Sequence, residues 1–344
     1  MQREPFVLDR LPRGSRGSYA LPVMPLPDGN ELWLPVLAAV GAAEGPTLTV
    51  LAGVHGDEYE GMRAIPELFR SFEVSALRGR LIAVPVCNVP AFRSATRTSP
   101  IDGLNLARVF PGDPGGTATQ RIAHVLTEQV IAPASLLIDL HSAGIAYTMP
   151  TLVGYPYAAT PLAATARAAA AAFGCAVLWA HPPDPRAGGR TISAAEQLGI
   201  PWIYTEAAGG GRAAPADVAC FSEGVLNVMR HLQMLPGQSS PRPARYHLLG
   251  AGNTDDPIRA ATSGYFVSEV ELLAPVVAGQ LIGRVLDIDG EPVEEIFAHV
   301  DGRVVMIRGL PMIHAGEGVF LLTGDMPAQP EHAAPLGAGE LQSG

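Results

Sequence analysis

From about residue 46 to residue 240 the chain alternates short apolar runs with amphipathic stretches, and few folds accommodate that rhythm. The runs at 47–52 (TLTVLA), 81–87 (LIAVPVC), 136–140 (LLIDL), 176–180 and 202–205 are too continuously apolar to leave one face in water. They predict strands buried on both sides. Between them, 60–72, 117–131, 161–173, 191–198 and 215–234 predict helices. In 117–131, Thr117 and Gln120 form a capping-box pattern ahead of Ile122, Val125, Leu126 and Val130 on one face. Strand–helix alternation of this kind predicts a mixed, mostly parallel sheet with helices on both faces.

The flanks differ in texture. Residues 1–45 form an N-terminal extension: a loose lead-in over 1–18, then short extended segments such as 31–39 around a turn at Asp28-Gly29-Asn30. After a Pro/Ser/Arg linker at 238–245 the rhythm becomes all-β, at 264–271, 280–287, 296–300, 303–307 and 318–322. Turns such as Asp289-Gly290 and Asp301-Gly302 separate these runs. The expected organisation is therefore an α/β core over 46–240, a small β barrel or sandwich over 246–326 and a flexible tail over 327–344.

Composition removes several functions. All 23 basic residues are arginine, so lysine Schiff-base chemistry, the P-loop and any lipoyl or biotin carrier role are excluded. A net charge of −10 without a basic block disfavours a nucleic-acid partner. No apolar run approaches a membrane span, and the first residues lack an apolar signal core, so a cytoplasmic protein with no membrane partner is expected. Cys87, Cys175 and Cys220 are few, odd in number and far apart in sequence, which fits reduced thiols.

The chemistry-bearing residues cluster where predicted strands end, the usual ligand-binding edge of an open α/β sheet. Gly53-Val-His55-Gly-Asp57-Glu58-Tyr-Glu-Gly61 follows one strand and precedes a helix. His55 and Glu58, three apart, can converge within one turn, and imidazole with carboxylate is a good zinc donor pair. A polar loop with a capping Asp57 is the plainer reading. Ile138-Asp139-Leu140-His141-Ser142 ends another strand, and His141 would complete a two-histidine, one-carboxylate set with an open position. Asp139 could orient a ligand or simply cap a turn. Glu206, in Thr205-Glu206-Ala207-Ala208-Gly209, is a candidate general base at a third strand end, or else a solvated glutamate.

A fourth signal is the long polar loop over 88–112. Its length suggests function. Arg93, Arg97, Asn105 and Arg108 are its candidate substrate contacts, because guanidinium groups can fork a carboxylate or stabilise an oxyanion. Each could equally be a solvated loop residue. The remaining histidines lack ligand-like spacing.

Taken together, these four segments resemble the succinylglutamate desuccinylase/aspartoacylase family of the zinc carboxypeptidase superfamily, over roughly 35–325. HGDEYEG and Thr96-Arg97-Thr98-Ser99-Pro100-Ile101-Asp102-Gly103 look most like its N-acetyl-diaminobutyrate deacetylase branch. The resemblance implies a carboxypeptidase-like three-layer α/β/α core with a C-terminal β domain near the active-site mouth. It implies one Zn²⁺ per chain on His55, Glu58 and His141, and acid/base work by Glu206. It places Arg97 where the family polarises the scissile carbonyl, and Arg108 where it anchors a substrate carboxylate. The substrate would be a small N-acyl amino acid or related amide.

Two features depart from the family pattern. Ala107 stands where the family usually has asparagine, and Ala207-Ala208 replaces Leu-Gly after the catalytic glutamate. The C-terminal rhythm resembles a lipoyl-like barrel hybrid, which without lysine is a shaping or oligomerising element. A homo-oligomer is expected. The competing readings are a metallocarboxypeptidase acting on short peptides and an inactive binding protein of the same fold. A nucleotide-binding enzyme is remote, because no G-x-G-x-x-G follows a first strand.

Overall fold

The computed structural model describes residues 4–252 and 254–327. The tail expected beyond 327 lies outside them. Nine strands make the central part of the main sheet: β1 (Ser15–Pro25), β2 (Glu31–Val40), β3 (Ala43–Ala52), β4 (Arg78–Val84), β5 (Leu136–Leu140), β6 (Leu152–Pro156), β7 (Val177–His181), β8 (Trp202–Glu206) and β9 (Tyr246–Leu249). Their spatial order is β1-β2-β4-β3-β5-β8-β6-β7-β9. From β4 through β3 and β5 to β8 the pairing is parallel, β6 runs antiparallel to β8, and β7 and β9 continue parallel to β6.

Both faces of this sheet are buried, as the unbroken apolar runs require. In β5, Leu136, Ile138 and Leu140 pack into one hydrophobic cluster, and Leu137 into the other. Helices α1 (Tyr59–Arg70), α4 (Pro161–Phe173) and α6 (Pro215–His231) cover the first face, through Ile65, Ala169 and Phe221 among others. Helices α3 (Ala118–Leu126) and α5 (Thr191–Gln197) cover the second, through Ile122 and Ala194. Each fully buried Leu, Ile or Val contributes about 1.5–3 kcal/mol, so side-chain alternation on the central strands fixes their register. The result is three layers, α/β/α, around a mixed sheet. The short helix α2 (Val89–Ser94) stands at the start of the long loop.

Three features differ from the sequence reading. The expected loose lead-in over 1–18 already carries structure: Phe6 is buried and β1 starts at Ser15, pairing along β2. Strand β6 has no counterpart in the expected pattern, because it is short, holds Gly154 and ends in Pro156. Gly154 is needed there, since a Cβ would meet the Tyr204 ring of β8 at 2.0 Å. The third difference is at the C-terminus, where part of the β region joins the main sheet. Strand β9 extends the main sheet, and Gly318–Asp325 and Gly302–Arg308 add to it antiparallel. A second, four-stranded antiparallel sheet runs Pro292–Phe297, Leu281–Leu286, Gly264–Ser268, Met312–Ile313.

Cys175 and Cys220 come together as free thiols with their sulfurs 3.6 Å apart. Among the described residues no helix is long and apolar enough to cross a membrane.

Candidate metal centre

Strands β3, β5 and β8 are adjacent and parallel, with Ala52 level with Leu140 and Leu140 level with Thr205. Whatever follows each strand therefore emerges at one place. The loop after β3 carries His55 and Glu58, the residue after β5 is His141, and β8 ends on Glu206.

The β3–α1 loop is pinned on both sides. Gly56 N–H donates to Thr96 O at 3.0 Å, and a Cβ on Gly56 would stand 2.1 Å from the Ala91 carbonyl carbon of α2. Only glycine lets the two segments approach so closely. Asp57, buried, accepts the Ile145 N–H at 3.2 Å and ties the loop to the segment beyond His141. Glu58 is then the last residue before α1.

His55 and Glu58 are each only 2% exposed, and the His141 side chain 13%. Glu58 is flanked by both rings: His55 Nδ1 lies 2.6 Å from Oε1, and His141 Nδ1 lies 2.8 Å from Oε2. One ligand atom from each of the three residues falls within 4.8 Å of the others. The outer ring nitrogens are held elsewhere. His55 Nε2 lies 3.0 Å from Asn105 Oδ1, and His141 Nε2 lies 2.9 Å from Asp139 Oδ2. Each outer partner accepts a hydrogen bond, so with a metal bound each ring would keep its proton on Nε2 and turn the Nδ1 lone pair inward. Thr191 Oγ1 also donates to Asp139 Oδ2. The donor set fits a divalent ion such as zinc: two imidazole nitrogens, one carboxylate and a cavity on the open side.

The electrostatics agree with such a cluster. Burial would raise the Glu58 pKa, but the imidazoles on either side hold it well below the usual carboxylate range. Burial and Arg97 lower His55, whereas His141, despite burial, is held well above the usual histidine value by Asp139 and Glu58. Glu206 is pushed up to about 8, first by burial and then by the charge of Glu58, with His141 and Arg97 pulling the other way. Its Oε2 is buried with no hydrogen-bond partner among the described residues.

These groups line a cavity of about 400 Å³, together with Arg97, Arg108, Arg190, Trp202 and Tyr204. Arg97 Nη1 lies 3.0 Å from Glu58 Oε1. Arg108 lies in the same wall, bound to Asp255 from the C-terminal region. Ala251, Gly252, Thr254, Asp255, Pro257 and Arg259 close that side. Against that segment His181 and Tyr204 form a fixed pair. His181 Nδ1–H donates to Gly250 O at 2.8 Å, and the Tyr204 hydroxyl donates to His181 Nε2 at 2.9 Å. Burial lowers the His181 pKa to about 4.

Two expected substrate contacts lie elsewhere. Arg93 is exposed on α2, and Asn105 sits behind His55; neither is in the cavity wall. The sequence reading has Asp139 as a group that could orient a ligand and Asn105 as a substrate contact; it lacks the placement of Asn105 behind His55 and of Thr191, read only as a helix start, behind Asp139. The Asp139-x-His141 spacing was the one available signal, because residues two apart on an extended chain share a face.

Comparison with known proteins adds three findings. The family model for the succinylglutamate desuccinylase/aspartoacylase catalytic domain matches residues 44–232. An N-alpha-acetyl-L-2,4-diaminobutyric acid deacetylase of Halomonas elongata is 30% identical over 309 residues, covering 87% of this chain and 89% of its own. Among solved structures, the product-bound ectoine utilization protein EutE of Ruegeria pomeroyi superposes with a TM-score of 0.83 at 30% identity, over 92% of this chain and 98% of its own. A succinylglutamate desuccinylase of Silicibacter sp. superposes with a TM-score of 0.83 at 30% identity, over 95% and 100%.

Proposed function

This chain belongs to the succinylglutamate desuccinylase/aspartoacylase family, and from that membership we propose that it is a zinc-dependent deacylase cleaving the amide bond of a small N-acyl amino acid. The observation that carries the reading is the convergence of His55, Glu58, His141 and Glu206 at the ends of three adjacent parallel strands, inside one cavity. The named relatives supply the reaction class, since the curated one is a deacetylase of an N-acetylated diamino acid.

His55 Nδ1, the Glu58 carboxylate and His141 Nδ1 would hold the ion, with Asn105 and Asp139 fixing the rings from behind. A bound zinc ion supplies Lewis acidity toward an amide carbonyl and toward water. Glu206 takes the proton of the attacking water and returns it to the leaving nitrogen. Burial keeps its proton affinity high enough for that return near neutral pH, and a nearby cation would favour the ionised form needed first. Arg97, beside the ligand set, stabilises the oxygen on which charge develops. Arg108 sits where it can meet a substrate carboxylate.

A cavity of about 400 Å³ suits a small molecule better than a peptide. We propose the same division of labour along the chain: a hydrolase core over 46–240, and a β region over 246–326 that closes the cavity through Ala251, Gly252, Thr254, Asp255, Pro257 and Arg259. The test is amine release by zinc-loaded protein from N-acetyl amino acids and N-acetyl diamines, run beside short peptides. Turnover of the small amides is expected. Cleavage of peptides alone, or of nothing, would contradict the proposal.

A further inference from the structure

Arg108 already holds an anion, and that anion belongs to the chain itself. Its Nε lies 2.7 Å and its Nη2 2.6 Å from one oxygen, Oδ2, of Asp255, while Nη1 donates to Ala107 O at 2.7 Å. Arg108 comes from the turn Leu106–Arg108 in the long polar loop. Asp255 arrives from the C-terminal region, 147 residues later. Both line the cavity that holds His55, Glu58, His141 and Glu206.

There is a physical reason for an anion at this point. Burial lowers the proton affinity of Arg108, Asp255 raises it, and the nearby Arg190 and Arg97 lower it further. A guanidinium stays charged even so, and a crowded one is best neutralised by a carboxylate on its N–H edge. Asp255 does this with a single oxygen, short of the two parallel bonds a free carboxylate can make. Side-chain exposures of 27% for Arg108 and 54% for Asp255 leave the pair open to water. A pair so exposed is worth at most about a five-fold factor in an equilibrium. A ligand carboxylate can therefore reach Arg108 at this pair.

We propose that Asp255 is a built-in stand-in for a substrate carboxylate at Arg108, so that carboxylate-bearing substrates bind by displacing it. Asp255 then sets how strongly the cavity prefers an acid to its neutral analogue. It weakens the binding of acids by the cost of exchange and leaves neutral analogues untouched. The substrate class this selects is an N-acyl amino acid with a free carboxylate, and the inference rests on the deacylase reading of the cavity.

The test compares N-acetyl-L-alanine with N-acetyl-L-alaninamide by titration calorimetry on the zinc-loaded full chain. A Glu206→Gln background silences turnover, and Asp255 is either kept or changed to Asn. The expected result is that Asp255→Asn tightens binding of the acid by about two- to five-fold and leaves the amide unchanged. Asp255→Ala should give the same signature, which removes any contact made by the new amide. The proposal is overturned if acid binding is unchanged, weaker or undetectable, or if acid and amide shift together. Failure of the deacylase reading shows separately, as absent hydrolysis of every N-acyl substrate by the unmodified enzyme.

Discussion

Asp139 Oδ2 lies 2.9 Å from His141 Nε2, two residues apart on one strand end. That contact fixes the ring from behind, so that Nδ1 faces Glu58 at 2.8 Å. Asn105 does the same for His55 with a neutral oxygen. An ionised acceptor orients a ligand and raises its basicity more than a neutral one.

Asp139→Asn should therefore weaken zinc binding by about 10- to 100-fold, and Asn105→Ala by less. Competition against a chelator of known affinity measures both. Equal, small effects would mean that the outer partners do not orient the rings.

Glu206→Gln keeps the shape of the side chain and removes its proton transfer. It should retain zinc and lower kcat by about 10²- to 10⁴-fold. Metal content and steady-state kinetics on one sample check this. Activity near that of the unmodified enzyme would remove Glu206 from the mechanism.

Arg97 is 41% exposed on its side chain, so its ion pair with Glu58 adds little to stability, about 1 kcal/mol or less. Its proposed work is on the reacting oxygen. Arg97→Ala should lower kcat by about 10²- to 10³-fold while leaving the thermal midpoint nearly unchanged. A large drop in the midpoint would point to a structural role instead.

His181 gives a pH dependence of stability. Its folded pKa of about 4 lies below the ordinary value of 6.5. Above pH 6.5 both folded and unfolded forms are neutral, and the group contributes no slope. As pH falls from 6.5 toward 4, only the unfolded chain takes up the proton, so stability is lost, by up to about 3 kcal/mol. Urea unfolding at pH 7 and pH 5 should show a smaller loss for His181→Gln than for the parent chain. Identical losses would mean that His181 does not resist protonation.

The sequence made the strand ends legible because β3, β5 and β8 are apolar on both faces and stop at glycine, histidine or glutamate. It could place His55, Glu58, His141 and Glu206 on those ends. The adjacency of the three strands, which brings the residues together, is a property of sheet order and not of any local segment. Strand β6 escaped notice because Gly154, required by the Tyr204 ring, and the terminal Pro156 lower its strand character. The C-terminal region read as a separate β unit, because nothing local to 246–249 shows that it pairs with β7. Arg93 and Asn105 looked equivalent to Arg97 in the long loop, and only the path of that loop around Gly56 separates them.

Metal content tests the central claim most directly. The purified chain, loaded with zinc and freed of excess, should hold about one ion per chain, and His141→Ala, with its fold intact by circular dichroism, should hold almost none. A parent chain that takes up no zinc, or a His141→Ala chain that keeps as much as the parent, would contradict the account.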